Sequence, residues 1–172
     1  LVTLSVLALL HLQLGVLQQP GRYSPFGGLV PLEQDASTEL LDTSQLRRRL
    51  AADPAIMSAL SEISFVFTNE YYLGGYLDMA IHPLQPDLPV TAFSQDPRGF
   101  AFWFDQQAWL DEDALYMTID RFVESPMLEQ YQPLFDAIEP LTTVSLQRGG
   151  EITEIVHIFR ANRFLEPYEY PY

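Results

Sequence analysis

Cysteine and lysine are both missing from the 172 residues. Without cysteine there is no disulfide framework, no thiolate nucleophile and no Cys-ligated zinc or iron-sulfur site. Without lysine, every fixed cation is an arginine, and the net charge is -14. Phosphate recognition depends on clustered Lys and Arg, so this balance argues against a nucleic-acid partner. It also disfavours anionic lipid headgroups away from local Arg sites. Histidine is scarce. His11, His82 and His157 lie far apart, none with a second His or an acid at metal-ligand spacing, so no metal is expected. No P-loop, G-x-G-x-x-G, G-x-S-x-G or H-E-x-x-H occurs, so no cofactor is expected either.

What is present begins with "LVTLSVLALLHLQLGVL", uncharged and apolar at most positions, with His11 and Gln13 as the main interruptions. It is just short of the roughly 20 residues that cross a bilayer as a helix. A signal peptide would need a basic stretch before it and a small-x-small site after it, and neither is seen. A buried soluble helix is the other competitor. The reading adopted is a transmembrane helix over residues 1–18, the end of a longer membrane region. Residues 19–39 hold Pro20, Gly21, Pro25, Gly27, Gly28 and Pro31 and read as a connector. Only Arg22 is basic beside the apolar run, whereas cytoplasmic flanks usually carry several Lys or Arg. The globular part is therefore expected on the extracytoplasmic, periplasmic side.

Residues 40–165 read as an α/β domain, with 166–172 as a tail that is either an extended strap or a loose end. Thr43 or Ser44 caps a short helix through "QLRRRLAA", where Leu46 and Leu50 share a face and Arg47 to Arg49 fan out to solvent. Asp53 before Pro54 is an N-cap with a first-turn proline, opening a second helix. "SFVFTN" suits a strand buried on both faces. Thr68 or Asn69 caps the next helix, where Leu73, Leu77 and Ile81 form one stripe and Tyr72, Tyr76 and Met79 another. Gly74 and Gly75 each cost about 1 kcal/mol there relative to Ala. Close packing or room for a ligand would offset that cost. "LPVTAF" and "ALYMTI" read as strands, "DPRG" as a type I turn with Arg98 third and exposed, and "FAFWF" as too aromatic for a surface loop. Ser125 and Pro126 open a helix through "MLEQYQPLFDAI", kinked or divided at Pro133. "TTVSLQR" and "ITEIVHIFR" flank Gly149 and Gly150 as a hairpin. The expected fold is α/β, a mixed β-sheet with helices on both faces, preceded by the transmembrane helix.

Ligands of open α/β sheets bind at the carboxyl ends of the strands. That points to Asn69, Glu70, Tyr71 and Tyr72 at the strand-to-helix turn, together with Arg98 and Trp103, as substrate-binding candidates. Aromatic faces and an acid suit sugar rings and hydroxyls, and an Arg suits a phosphate. Capping, core packing and a turn position account for the same residues without any ligand. The acids Asp111, Glu112 and Asp113 read as a solvated loop.

The order of parts, an apolar span, a strand, "TNEYYLGGYLDMAIHPLQPDLPVTAFSQDPRGFAFW" and "DALYMTI", resembles the C-terminal soluble region of bacterial membrane glycosyltransferases of the dolichyl-phosphate-mannose-protein mannosyltransferase type, cyanobacterial ones in particular. The matching positions are Tyr72 to Ile81, Pro89 to Phe93, and Arg98, Gly99, Phe100 and Trp103, and the resemblance fades after Ile119. It implies a polytopic enzyme that transfers a sugar from a polyprenyl-phosphate donor, with its catalytic acid in a loop upstream of Leu1. No catalytic residue is then expected in this chain, and its partners would be the upstream membrane region and the lipid-linked donor. The alternatives are a membrane-anchored module that binds envelope glycans and, third, a small α/β hydrolase-like enzyme without a recognisable nucleophile motif.

Overall fold

A computed structural model describes residues 2–123 and 127–171. The chain divides into two compact units, Leu1–Asp42 with Ser145–Ile155, and Thr43–Val144 with Val156–Tyr172.

In the first unit, helix α1 (Val2–Leu14) stops where Gly15 takes a φ of 67° and its N–H closes on the carbonyl of His11. Its 13 residues rise about 20 Å, against a hydrocarbon core of about 30 Å. No helix among the described residues is long and apolar enough to cross a membrane. The helix expected to run to residue 18 ends at Leu14: the left-handed glycine closes it, and Gln18 enters a strand. Leu4, Leu7, Leu9 and Leu10 are nonetheless exposed along α1. The expected connector is not featureless. Strand β1 (Gln18–Gln19) pairs in parallel with β2 (Val30–Pro31), and two 3-10 turns, Leu32–Gln34 and Ala36–Glu39, follow.

The buried side chains of this unit are mainly polar. Arg148 donates from Nη2 to Asp35 Oδ2 (2.5 Å), from Nη1 to Ser37 Oγ (2.9 Å) and from Nε to Gln18 Oε1 (3.1 Å). His11 Nε2 lies 3.0 Å from Asp35 Oδ2, while its Nδ1 accepts from the N–H of Leu17. The accepting Nδ1 fixes the tautomer, so Nε2 carries the hydrogen that faces the carboxylate. Burial pushes the Asp35 carboxyl up, but hydrogen bonds from Ser37, the Arg148 charge and His11 outweigh it, and the pKa lies below the ordinary value.

The second unit opens with α2 (Thr43–Ala52) and α3 (Pro54–Glu62). Asp53 caps α3 as expected, its Oδ1 accepting from the N–H groups of Ala55 and Ile56. Strand β3 (Phe65–Thr68) leads to α4 (Tyr71–Ile81), then to β4 (Val90–Ala92), the one-turn helix α5 (Phe100–Trp103) and β5 (Ala114–Ile119). The short helices α6 (Asp120–Val123) and α7 (Met127–Tyr131) precede the long strands β6 (Phe135–Arg148) and β7 (Glu151–Phe164). The sheet order is β4-β3-β5-β7-β6, with β3 parallel to both β4 and β5, and β5 antiparallel to β7. The fold is thus mixed α/β around a five-stranded mixed sheet.

Alternation along the strands sorts the core. Phe65, Phe67, Ala114, Tyr116, Phe159 and Ala161 join one aromatic cluster with Phe93, Trp109, Tyr131, Phe135, Phe164 and Tyr168. Phe67 stacks on Phe135 (5.2 Å, 8°) and on Tyr116 (5.0 Å, 23°). The buried leucines of α2 and α4, Leu46, Leu50, Leu73 and Leu77, stand outside that cluster, and α4 lies along β3 and β4. The long helices therefore gather away from the rings, which α6, α7 and loop segments cover instead.

The start of the expected Ser125–Pro126 helix lies outside the described residues. Its end is corrected: α7 stops at Tyr131, a 3-10 turn over Gln132–Leu134 contains Pro133, and Phe135 already belongs to β6. Pro140 is tolerated there because β6 is an edge strand. The tail is a strap. Gln106 accepts from the Tyr168 N–H (2.8 Å) and donates back to its carbonyl (3.2 Å), and Tyr168 stacks on Phe93 (5.1 Å, 11°).

Candidate functional site

Because β3, β4 and β5 run parallel, the turns after their carboxyl ends lie on one side of the sheet, with Thr68 beside Ala92 and Phe67 beside Tyr116. The residue that follows β3, Asn69, is buried and serves the scaffold. Its Oδ1 accepts from Thr118 Oγ1 (2.9 Å), and its Nδ2 donates to the Phe122 carbonyl (3.4 Å). This corrects the expected capping role of Thr68 or Asn69. The N-cap of α4 is Glu70, which makes no side-chain cap hydrogen bond. Burial raises the pKa of Glu70, and the nearby charge of Asp96 adds to the rise.

The other four candidates meet. Tyr71, Tyr72, Arg98 and Trp103 line a cleft of about 610 Å³ between α4 and the α5 region, together with Tyr76 and Phe100. Tyr72 stands edge-on to both Tyr71 (5.8 Å, 86°) and Tyr76 (6.4 Å, 82°), presenting ring faces in alternating orientation. Trp103 is 65% exposed and packs edge-to-face on Phe100 (4.9 Å, 63°). Its ring lies so close over Gly99 that a Cβ there would sit 2.5 Å from Trp103 Cζ2. Helix α4 accommodates Phe100 the same way, because a Cβ on Gly74 would lie 2.8 Å from Phe100 Cζ. Gly75 meets nothing within 4 Å and lines the cleft. Packing explains one glycine, and open space explains the other.

Arg98 departs from the expected type I turn. Its φ is +52°, outside the range of the third position, and the N–H of Phe100 donates to the Pro97 carbonyl. The guanidinium lies 4.6 Å over the Tyr71 ring, and its Nε–H donates to both carboxylate oxygens of Asp96 (2.8 and 2.9 Å). Its charge is largely matched by Asp96, which weakens its suitability for a phosphate. "FAFWF", expected to be too aromatic for a surface loop, forms a helical turn over Phe100–Trp103 with Phe100 buried and Phe102 75% exposed.

The cleft offers ring faces, phenol hydroxyls, a neutralised guanidinium and one carboxylate, Asp78. Its ring faces and phenols suit the binding of a ligand with apolar surface and hydroxyl groups. Elsewhere, the acidic run is structural: Asp111 pairs with Arg163 and Asp113 with Arg160 (2.8 and 3.1 Å). The buried His11, Gln18, Asp35 and Arg148 cluster had no local signature, since its partners lie 113 and 130 residues apart. Among known proteins, no family model, no curated protein and no solved structure matches the chain.

Proposed function

We propose that the chain is an extracytoplasmic, non-catalytic domain of a polytopic membrane glycosyltransferase that takes a sugar from a polyprenyl-phosphate donor, and that the aromatic cleft holds part of that donor. One observation carries the reading. The three segments on which the resemblance rests, Tyr72 to Ile81, Pro89 to Phe93 and Arg98 to Trp103, all contribute lining to a single cleft, through Tyr72, Val90 and Trp103 among others. Tyrosine and tryptophan faces suit both sugar C–H surfaces and an isoprenoid chain. The exposed leucines of α1 support a membrane-seated polypeptide, since contiguous exposed apolar surface marks protein or membrane contact. The reacting carboxylate then belongs to another part of the polypeptide.

The exposure of Trp103 favours a second reading, a membrane-anchored module that binds envelope glycans. The discriminating measurement is the mass of the native polypeptide, by immunoblot of membrane and soluble fractions with an antibody to residues 40–172. A membrane band several times the mass of this chain, whose sugar transfer falls in Tyr72→Ala and Trp103→Ala variants, is the expected result. A band of 19.6 kDa would leave no room for the transferase and favour the glycan module.

A further inference from the structure

We infer that the C-terminal strap completes a second ligand site, separate from the aromatic cleft and independent of the transferase reading, for a neutral polyol such as a hexose unit of a glycan. A cavity of about 530 Å³ lies beside the strap, bounded by Gln95, Gln130, Leu134, Glu166, Tyr168 and Glu169. Two amides converge on one hydroxyl at its wall: Gln95 Nε2 and Gln130 Nε2 each donate to Tyr168 Oη at 3.2 Å. A phenol oxygen that receives two donors still has its own hydrogen to give, and each amide still has its carbonyl oxygen to accept. The wall therefore offers the phenol hydrogen, the second N–H of each amide and several acceptors, a pattern that vicinal hydroxyl groups, each donor and acceptor, satisfy.

The charge of the site narrows the ligand. Glu166 and Glu169 add carboxylate acceptors, and no Arg or His among the described residues lines the cavity, so a phosphate or an acidic sugar meets repulsion there. Pro133, Leu134 and Pro167 give the apolar surface on which a pyranose C–H face rests. The site is also rigidly built. The Tyr168 ring is stacked on Phe93 and its backbone is clamped both ways by Gln106, while Tyr170 Oη donates to the Ala92 carbonyl. A strap that only closed the core would need the ring and the backbone clamp. The converging amides instead hold the Tyr168 hydroxyl, in a residue that lines the cavity.

Saturation-transfer NMR on the whole chain with methyl hexosides as probes tests this. The expected result, read in a Trp103→Ala background so that the aromatic cleft does not contribute, is transfer to the sugar ring protons that weakens at least tenfold on adding Gln95→Ala/Gln130→Ala or Tyr168→Phe and is at least tenfold weaker for glucuronic acid. Tyr168→Phe keeps the ring on Phe93, so it remains readable if the double variant loses its fold. Absence of transfer from every hexoside, or unaltered binding by a folded Tyr168→Phe, overturns the assignment. So does loss of binding in Trp103→Ala alone, which would move the sugar to the aromatic cleft.

Discussion

In the unit formed by Thr43–Val144 and Val156–Tyr172, Phe67 is surrounded by the rings of Phe65, Phe93, Tyr116, Tyr131 and Phe135. In the unit formed by Leu1–Asp42 and Ser145–Ile155, the buried side chains among the described residues are His11, Gln18, Asp35 and Arg148, with Leu41 and Leu146. Both interiors exclude water, but they depend on different physics. Ring contacts are individually small and redundant, so stabilisation is spread over many partners. A buried ion pair depends on each partner: its desolvation is offset only while both charges and their hydrogen bonds are in place. One unit should therefore lose stability in proportion to the volume removed, and the other should fail when a single group is removed.

The largest effect should come from Phe67→Ala, which leaves a cavity at the centre of the cluster and costs about 3–5 kcal/mol in denaturant unfolding. Arg148→Ala should cost about 3 kcal/mol, near the low end for an orphaned buried charge because Asp35 can then take up a proton. Segment-resolved hydrogen exchange tells the two apart: Phe67→Ala should expose β3 and β5, and Arg148→Ala the stretch from Gln18 to Asp35. The sharper test is Asp35→Leu/Arg148→Met, which removes both charges. It should regain most of what Arg148→Ala loses, and equal instability of the two variants would mean that the pair is not what holds this unit.

Next in size is a divergence with pH. The Asp35 carboxyl has a folded pKa below its unfolded value near about 3.9, so its stabilisation is complete above that value and lost as pH falls through the folded pKa. The tyrosines shift the other way. Burial pushes Tyr116 up to about 12 and raises Tyr131 further still, each from an unfolded value near about 10. Their stabilisation is complete below about pH 10 and lost as pH rises through the folded pKa. Acid should loosen exchange protection around Asp35 first, and alkali should release tyrosinate absorbance together with loss of the near-ultraviolet aromatic signal. Tyrosinate absorbance near the unfolded value that disappears in Tyr116→Phe or Tyr131→Phe, with the fold intact, would contradict the burial of these hydroxyls.

The ring-held unit was the more legible in sequence, and the reason is locality. Asp53 before Pro54 and the run "ALYMTI" each act within a few residues, and each forms the element its pattern implies. Where tertiary partners decide, local patterns misled. Asn69 has the chemistry of a cap, but Thr118 and the Phe122 carbonyl claim its side chain. Phe135 to Ile138 continues a helical apolar pattern past Pro133, but the segment extends edge strand β6 instead. Tyr71, Tyr72, Arg98 and Trp103 could be grouped because the turns after parallel strands share one end of the sheet. Asp35 and Arg148 could not, since a charge that meets its partner 113 residues away leaves no periodicity to read.

The smallest effect separates two adjacent glycines of α4, and it bears on the cleft. Either Gly→Ala change would gain about 1 kcal/mol from helix propensity alone, if space allowed. At Gly74 the new methyl would meet the Phe100 ring at 2.8 Å, so that ring, and Trp103 packed on it, must shift. At Gly75 it would enter open space on the cleft wall. Gly75→Ala should therefore raise the melting temperature while leaving Trp103 fluorescence near its original maximum. Gly74→Ala should give up that gain and shift the emission as the tryptophan is displaced. If both variants stabilise equally with unchanged emission, Phe100 is not seated against α4, and the cleft loses the wall that defines it.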